Sequence, residues 1–183
     1  MKNLNEYRTT LQEASWDDRN KKDMTSSKLS VINFDNLKKD YVENLKLSQI
    51  RSNDALFVNN GDYTFIEFKN GKIDNTEKVF KIYSKIYDSI IICLDLDIFQ
   101  GTIENMRNKM TYILVYNKAC RHTEKFEGSE NNFLENMLIS SKTERIRFGL
   151  RKFKGYCFKN VYTYSKEDFE TKFLKRIEDE NIV

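Results

Sequence analysis

Residues 52–71 read SNDALFVNNGDYTFIEFKNG, and their reading decides the fold. Asn60-Gly61 stands between two apolar runs, and this dipeptide suits the positive φ angles that a two-residue type I′ hairpin needs at both central positions. Counting outward pairs Asn59 with Asp62, Val58 with Tyr63, Phe57 with Thr64, Leu56 with Phe65, Ala55 with Ile66 and Asp54 with Glu67. Side chains alternate along a strand and cross-strand partners share a face, so Asp54, Glu67 and Lys69 point the same way. Their face also carries Leu56, Val58, Tyr63 and Phe65, while the other carries Ala55, Phe57, Ile66 and Phe68. Both faces require cover, as in a strand sandwiched between helices.

Charges in such a strand are costly unless they are paired or given a cation. The plain reading is an ion pair between Glu67 and Lys69 on a solvated face, with Asp54 merely starting its strand. Two covered faces argue against it, because buried ion pairs rarely repay their desolvation. Two carboxylates opposite each other repel, and one holds its proton unless a cation sits between them. Mg²⁺ or Mn²⁺ fits, since Mg²⁺ takes hard oxygen ligands, keeps several waters and often uses one or two carboxylates. Lys69 is placed to hold an attacking water or an anionic oxygen beside the metal.

Working outward, Leu4, Tyr7 and Leu11 have helical spacing, and residues 16–30 lose all periodicity and read as a polar loop. A second helix follows, with Asp35 as N-cap and Leu37, Tyr41 and Leu45 on one face. Beyond the hairpin, Asp74 and Glu77 have capping-box spacing ahead of Val79, Ile82, Tyr83, Ile86 and Ile90, the strongest helical stripe in the chain. Residues 111–116 are β-branched and aromatic and predict a buried strand. A last strand is expected within residues 156–165, and Ser165 with Asp168 opens a terminal helix carrying Phe169, Phe173 and Ile177.

Composition bounds the rest. The 183 residues, 39% of them hydrophobic, suit one domain over 1–183, and the formal charge of +3 means that any nucleic-acid surface must be a local patch. No apolar run spans a bilayer and no signal peptide opens the chain, so a cytoplasmic protein without membrane contact is expected. Cys93, Cys120 and Cys157 have no zinc-ligand spacing and are expected to be reduced. His122 is the single histidine, which excludes any mechanism needing two. It reads as a loop residue.

Asp54, then a short hairpin, then IEFK with Glu67 and Lys69, resembles the PD-(D/E)xK nuclease superfamily. That resemblance implies a restriction-endonuclease-like αβββαβ core over residues 34–117, a central mixed sheet flanked by helices. Residues 1–33 would then be an N-terminal helix and loop, and 118–183 an extension with one more strand and helix. It further implies that Asp54 and Glu67 bind metal, that the Phe68 carbonyl adds a ligand and that Lys69 assists catalysis. Many members carry a glutamate on the first core helix, for which Glu43 is the nearest candidate, although its helical angle opposes the apolar stripe. Asn53 replaces the nominal proline, and the first meander strand would fall in residues 46–53 or merge with the segment carrying Asp54.

Residues 145–159 concentrate Arg145, Arg147, Arg151, Lys152, Lys154 and Lys159 among Phe148, Phe153, Tyr156 and Phe158. Cations can hold phosphates while exposed aromatics stack on bases. Equally, Ile146, Leu150 and Phe153 have helical spacing, which would make the aromatics core and the charges a solvated face. The expectation is a metal-dependent phosphodiesterase acting on DNA or RNA. The competing class is a protein-binding module on the same fold, such as a toxin immunity protein, an antitoxin or a phage-defence component.

Overall fold

The computed structural model describes residues 3–98, 102–120 and 145–180; His122 lies outside them. In chain order the strands are β1 (Arg8–Thr10), β2 (Trp16–Asp17), β3 (Lys22–Asp23), β4 (Ser30–Asn33), β5 (Ala55–Asn59), β6 (Asp62–Lys69), β7 (Met110–Tyr116) and β8 (Asn160–Ser165). The helices are α1 (Leu11–Ala14), α2 (Phe34–Leu45), α3 (Thr76–Asp95), α4 (Ile103–Lys109) and α5 (Lys166–Phe169). A π-helical turn, Glu170–Leu174, continues α5 into α6 (Lys175–Glu180).

Six strands form one mixed sheet in the order β1-β4-β5-β6-β7-β8. The first three pairings are antiparallel and the last two parallel. The hairpin register agrees with the sequence count at five of its six pairs, from Asn59↔Asp62 to Ala55↔Ile66, while Asp54 precedes β5 and stands outside the ladder; Asn60 and Gly61 have φ of 49° and 82°. One face of the sheet is covered by α2 and α3, where Phe34, Leu37, Ile82 and Ile86 pack with Leu56 and Phe65. Leu11 and the C-terminal helical run cover the other, with Phe169, Phe173 and Ile177 against Phe57, Ile66 and Phe68. The expected mixed sheet between helical layers is present.

Four local expectations are corrected. The N-terminal helix is broken into a 3₁₀ turn, Leu4–Tyr7, then β1 and α1, because Thr10 and Glu13 close a capping box that restarts the helix after the strand. Residues 16–30 hold the β2–β3 hairpin and end in β4, which pairs with both β1 and β5; its Val31 and Ile32 are only two apolar residues, too short for a periodic signal. Residues 46–53 form no strand, since β4 takes the place beside β5. N-caps also shift: Asn33 caps α2 and Asn75 caps α3, leaving Asp74 to pair with Lys78 at 2.7 Å.

Residues 145–159 contain one 3₁₀ turn, Leu150–Phe153, and an isolated β-bridge between Lys154 and Phe158. Phe148, Phe153 and Phe158 are core residues, with Phe153 packed edge-on against Tyr83 and Tyr87 of α3, and Tyr156 alone of these aromatics is exposed. Gly149 enters the turn with φ of 64°, and a Cβ there would lie 2.5 Å from the Tyr83 hydroxyl. That hydroxyl donates to the Phe148 carbonyl at 2.9 Å, so the turn is fastened to α3. Among the described residues, no helix is long and apolar enough to cross a membrane, and Cys93, Cys120 and Cys157 are free thiols.

Candidate active site

The C-terminal ends of β6, β7 and β8 lie side by side, with Lys69 opposite Tyr116 and Tyr116 opposite Ser165. The crevice outside the carboxyl ends of strands is where open α/β sheets place ligands. Asp54 reaches this edge because the chain before β5 is pinned on both sides. The Phe34 N–H at the start of α2 donates to the Asp54 carbonyl at 3.1 Å. Ser52 Oγ donates to Asp35 at 2.5 Å, the Arg51 N–H to Asp88 at 2.8 Å and the Asn53 N–H to Ser89 Oγ at 2.9 Å. Across the end of the hairpin, the Phe68 N–H donates to Asp54 Oδ2 at 2.6 Å. In a strand, N–H and C=O of one residue point to the same side, so the Phe68 carbonyl also faces the Asp54 side of β6.

Asp54, Glu67 and Lys69 are therefore brought together, and the sequence reading missed a fourth member. Lys85 of α3 places Nζ 2.9 Å from Asp54 Oδ1 and 2.8 Å from the Glu67 carboxylate, with only 17% of its side chain exposed. Lys69 Nζ lies 2.9 Å from Glu67 Oε1. That contact is ionic without hydrogen-bond alignment, and Oε1 is a fully buried acceptor with no hydrogen bond of its own. Two carboxylates and two ammonium groups thus alternate at the end of the sheet. At about 100° per residue Lys85 falls on the helix between Ser89 and Ile92, outside the apolar stripe legible in the sequence, and only the fold shows that both of those neighbours are fully buried.

Burial is the largest influence on Glu67, followed by the negative charge of Asp54; together they hold its pKa above the ordinary carboxylate value against the pull of Lys69 and Lys85. Burial of Lys85 opposes its charge, but Asp54 and Glu67 combined outweigh that and keep it firmly protonated. Tyr112, on the same face of the neighbouring strand, is wholly buried with a hydroxyl lacking any hydrogen-bond partner among the described residues. Its phenol is pushed well above the usual range, first by burial and then by the charges of Glu67 and Asp54.

A cleft of about 730 Å³ opens above Asp54, Phe68, Lys69 and Lys85. Its walls carry seven cationic side chains, including Arg51, Lys72, Lys78 and Lys81, against the four carboxylates of Asp17, Asp18, Asp35 and Asp54. Asn70 closes one side: its amide donates to Asp17 at 2.9 Å and its carbonyl oxygen accepts from Asn117 at 2.8 Å, tying the β2–β3 hairpin to the ends of β6 and β7.

The expected phosphate track does not line this cleft. Arg147 lies over the Tyr116 ring at 5.9 Å and Lys152 over the Tyr83 ring at 3.6 Å, while Arg145, Arg151 and Lys154 are exposed elsewhere on the surface. Glu43 is exposed in the last turns of α2 and is not among the cleft residues; Asp35, in the first turn of the same helix, is the acid α2 presents there. Among the described residues no three His, Cys, Asp or Glu side chains converge as a metal-ligand set. Asp54 and Glu67 do offer a two-carboxylate site with hard oxygen donors, and Glu67 Oε1 already draws two ammonium groups, Lys85 at 2.8 Å and Lys69 at 2.9 Å, so the position suits a cation. No protein-family model, curated protein or solved structure matches the chain.

Proposed function

We propose that this chain is a metal-dependent phosphodiesterase of the PD-(D/E)xK nuclease type, acting on DNA or RNA. The observation that carries the reading is the convergence of Asp54, Glu67 and Lys69, with Asp54 and Lys69 lining a cationic cleft and Glu67 buried beneath them. Ordinary stability gives little reason to bury Glu67 completely, and a cleft with excess positive charge attracts a polyanion. The β4-β5-β6 meander, followed by α3 and then β7 parallel to β6, supports a restriction-endonuclease-like core. It departs from the αβββαβ order in that α2 lies between the first and second meander strands and the short α4 lies between α3 and β7.

In this reading Asp54 and Glu67, with the Phe68 carbonyl, hold Mg²⁺ or Mn²⁺, which when bound lowers the pKa of a water and stabilises charge on a phosphate oxygen. Lys69 orients that water or the phosphate oxygen through its ammonium group. Arg51, Lys78 and Lys81 position the backbone of the nucleic acid in the cleft.

Calorimetry with Mn²⁺ and Mg²⁺ tests the reading. Wild type should take up metal, and Asp54→Asn and Glu67→Gln should weaken that uptake. Lys69→Ala should lose cleavage of single- and double-stranded DNA and RNA while keeping metal affinity. A folded wild type that takes up no metal at millimolar concentration overturns the reading. One observation favours a second reading: Lys85 and Lys69 together already neutralise the acid pair. A chain that needs no metal would be a binding module for a protein partner, such as a toxin immunity protein, an antitoxin or a phage-defence component, and would show neither metal uptake nor cleavage.

A further inference from the structure

We propose that Lys85 is a built-in competitor for the divalent metal, so that metal loading requires its ammonium group to leave the Asp54–Glu67 pair and turn into the cleft. This inference rests on the metal reading of the site. Its basis is position: a cation bridging the two acids must lie within bonding distance of both, and Lys85 Nζ holds that place at 2.9 and 2.8 Å. An ammonium and a divalent ion cannot share it. Lys69 does not compete in the same way, because its ion pair is with Glu67 whereas Lys85 bridges both acids.

Lys85 has somewhere to go. It is itself part of the cleft wall, together with Lys81 and Lys78 from the preceding turns of α3. The four-carbon stem lets the ammonium swing outward without moving the helix. Once displaced, it adds a positive charge to the surface that would meet a phosphate. Metal and polyanion should then favour each other's binding, and linkage makes that coupling reciprocal. The same displacement lowers apparent metal affinity in the free protein, since only the fraction of molecules with Lys85 withdrawn is competent to bind.

Mn²⁺ calorimetry on wild type, Lys85→Gln and Lys85→Gln/Asp54→Asn tests this, with melting temperature recorded with and without Mn²⁺. Lys85→Gln should bind about tenfold or more tightly than wild type, and adding Asp54→Asn should abolish the gain. The melting temperature of Lys85→Gln should start lower than that of wild type and rise further on adding Mn²⁺. Equal or weaker affinity in a folded Lys85→Gln, with wild type binding normally, overturns the competition and leaves the metal site standing. No binding in either protein overturns the metal reading itself, and the competition with it. Should Lys85→Gln not fold, Lys85→Arg serves: its forked guanidinium holds carboxylates more firmly, so Mn²⁺ affinity should fall, and unchanged affinity would refute the proposal.

Discussion

Residues 54–69 and 145–159 both mix charges with aromatics, and the fold treats them in opposite ways. In the first, Glu67 is wholly buried in the middle of the sheet, and its two lysines are drawn in after it. In the second, Phe148, Phe153 and Phe158 are buried, while Lys152 lies across the outer face of Tyr83. In the covered stretch of β6 Glu67 cannot turn to water, so its charge needs an internal partner. A 3₁₀ turn at the surface sends its apolar residues inward and its cations outward at no such cost. Cations of the same kind therefore have different energetic weight in the two regions.

Stability measurements put that difference at its largest. Lys85→Ala leaves Asp54 and Glu67 facing each other without their shared cation, and breaking a buried pair costs about 3–5 kcal/mol. Lys152→Ala removes a cation–π contact at an exposed site, worth about 0.5–1 kcal/mol. Urea unfolding should separate the two variants clearly. Adding Glu67→Gln to Lys85→Ala should return part of the loss, because the double variant no longer buries two like charges. If Lys85→Ala unfolds no more easily than Lys152→Ala, the buried quartet is not held as its distances indicate.

The contrast also explains what could be read without coordinates. Asn60-Gly61 fixes the register of β5 and β6 through local turn geometry, and that register carries Asp54, just before β5, toward Glu67, where the pinned chain ahead of β5 holds it. The α3 stripe and the apolar face of α5 and α6 were legible because many residues repeat one period. Strand β4 was not, since Val31 and Ile32 give no period and its place is settled by pairing with β1 and β5. Lys85 was hidden for a related reason: a lone lysine beside an apolar stripe resembles any flanking surface lysine until the sheet beneath it is known to carry two acids. Residues 145–159 supported two patterns, and tertiary packing against α3 selected the one that makes the aromatics core.

Nucleic-acid affinity gives an intermediate effect and sharpens the same contrast. Replacing Lys78 and Lys81 by Gln removes two cleft cations; replacing Arg151 and Lys154 by Gln removes two from the 3₁₀ region. In the proposed function, the first pair should flatten the slope of log affinity against log salt by roughly 0.7–0.9 for each phosphate no longer neutralised. The second pair should change it little. A larger change from Arg151 and Lys154 would move the phosphate track back to residues 145–159.

The smallest effect concerns Asp17, at the rim of the cleft, and it is a matter of pH. Burial raises its pKa, but donors from Asn20, Asn70 and the backbone of Asn20 and Arg19 together outweigh burial and bring it from 3.8 down to about 2. The unfolded chain therefore takes up the proton first as pH falls. Stabilisation by the charged form is complete above about pH 4 and disappears as pH falls toward 2. In Asp17→Asn that titration is absent. Wild type should be the more stable protein at pH 6, by about 1 kcal/mol for a cluster of solvent-screened bonds, and the two denaturation curves should converge as pH approaches 2. Hydrogen exchange should place the difference at Asn20, whose amide donates to Asp17, and along the β2–β3 hairpin, because Asn70 links that hairpin to β6 through this carboxylate. A gap between the curves that stays constant from pH 6 to pH 2 would mean that the charge of Asp17 does not hold the rim together.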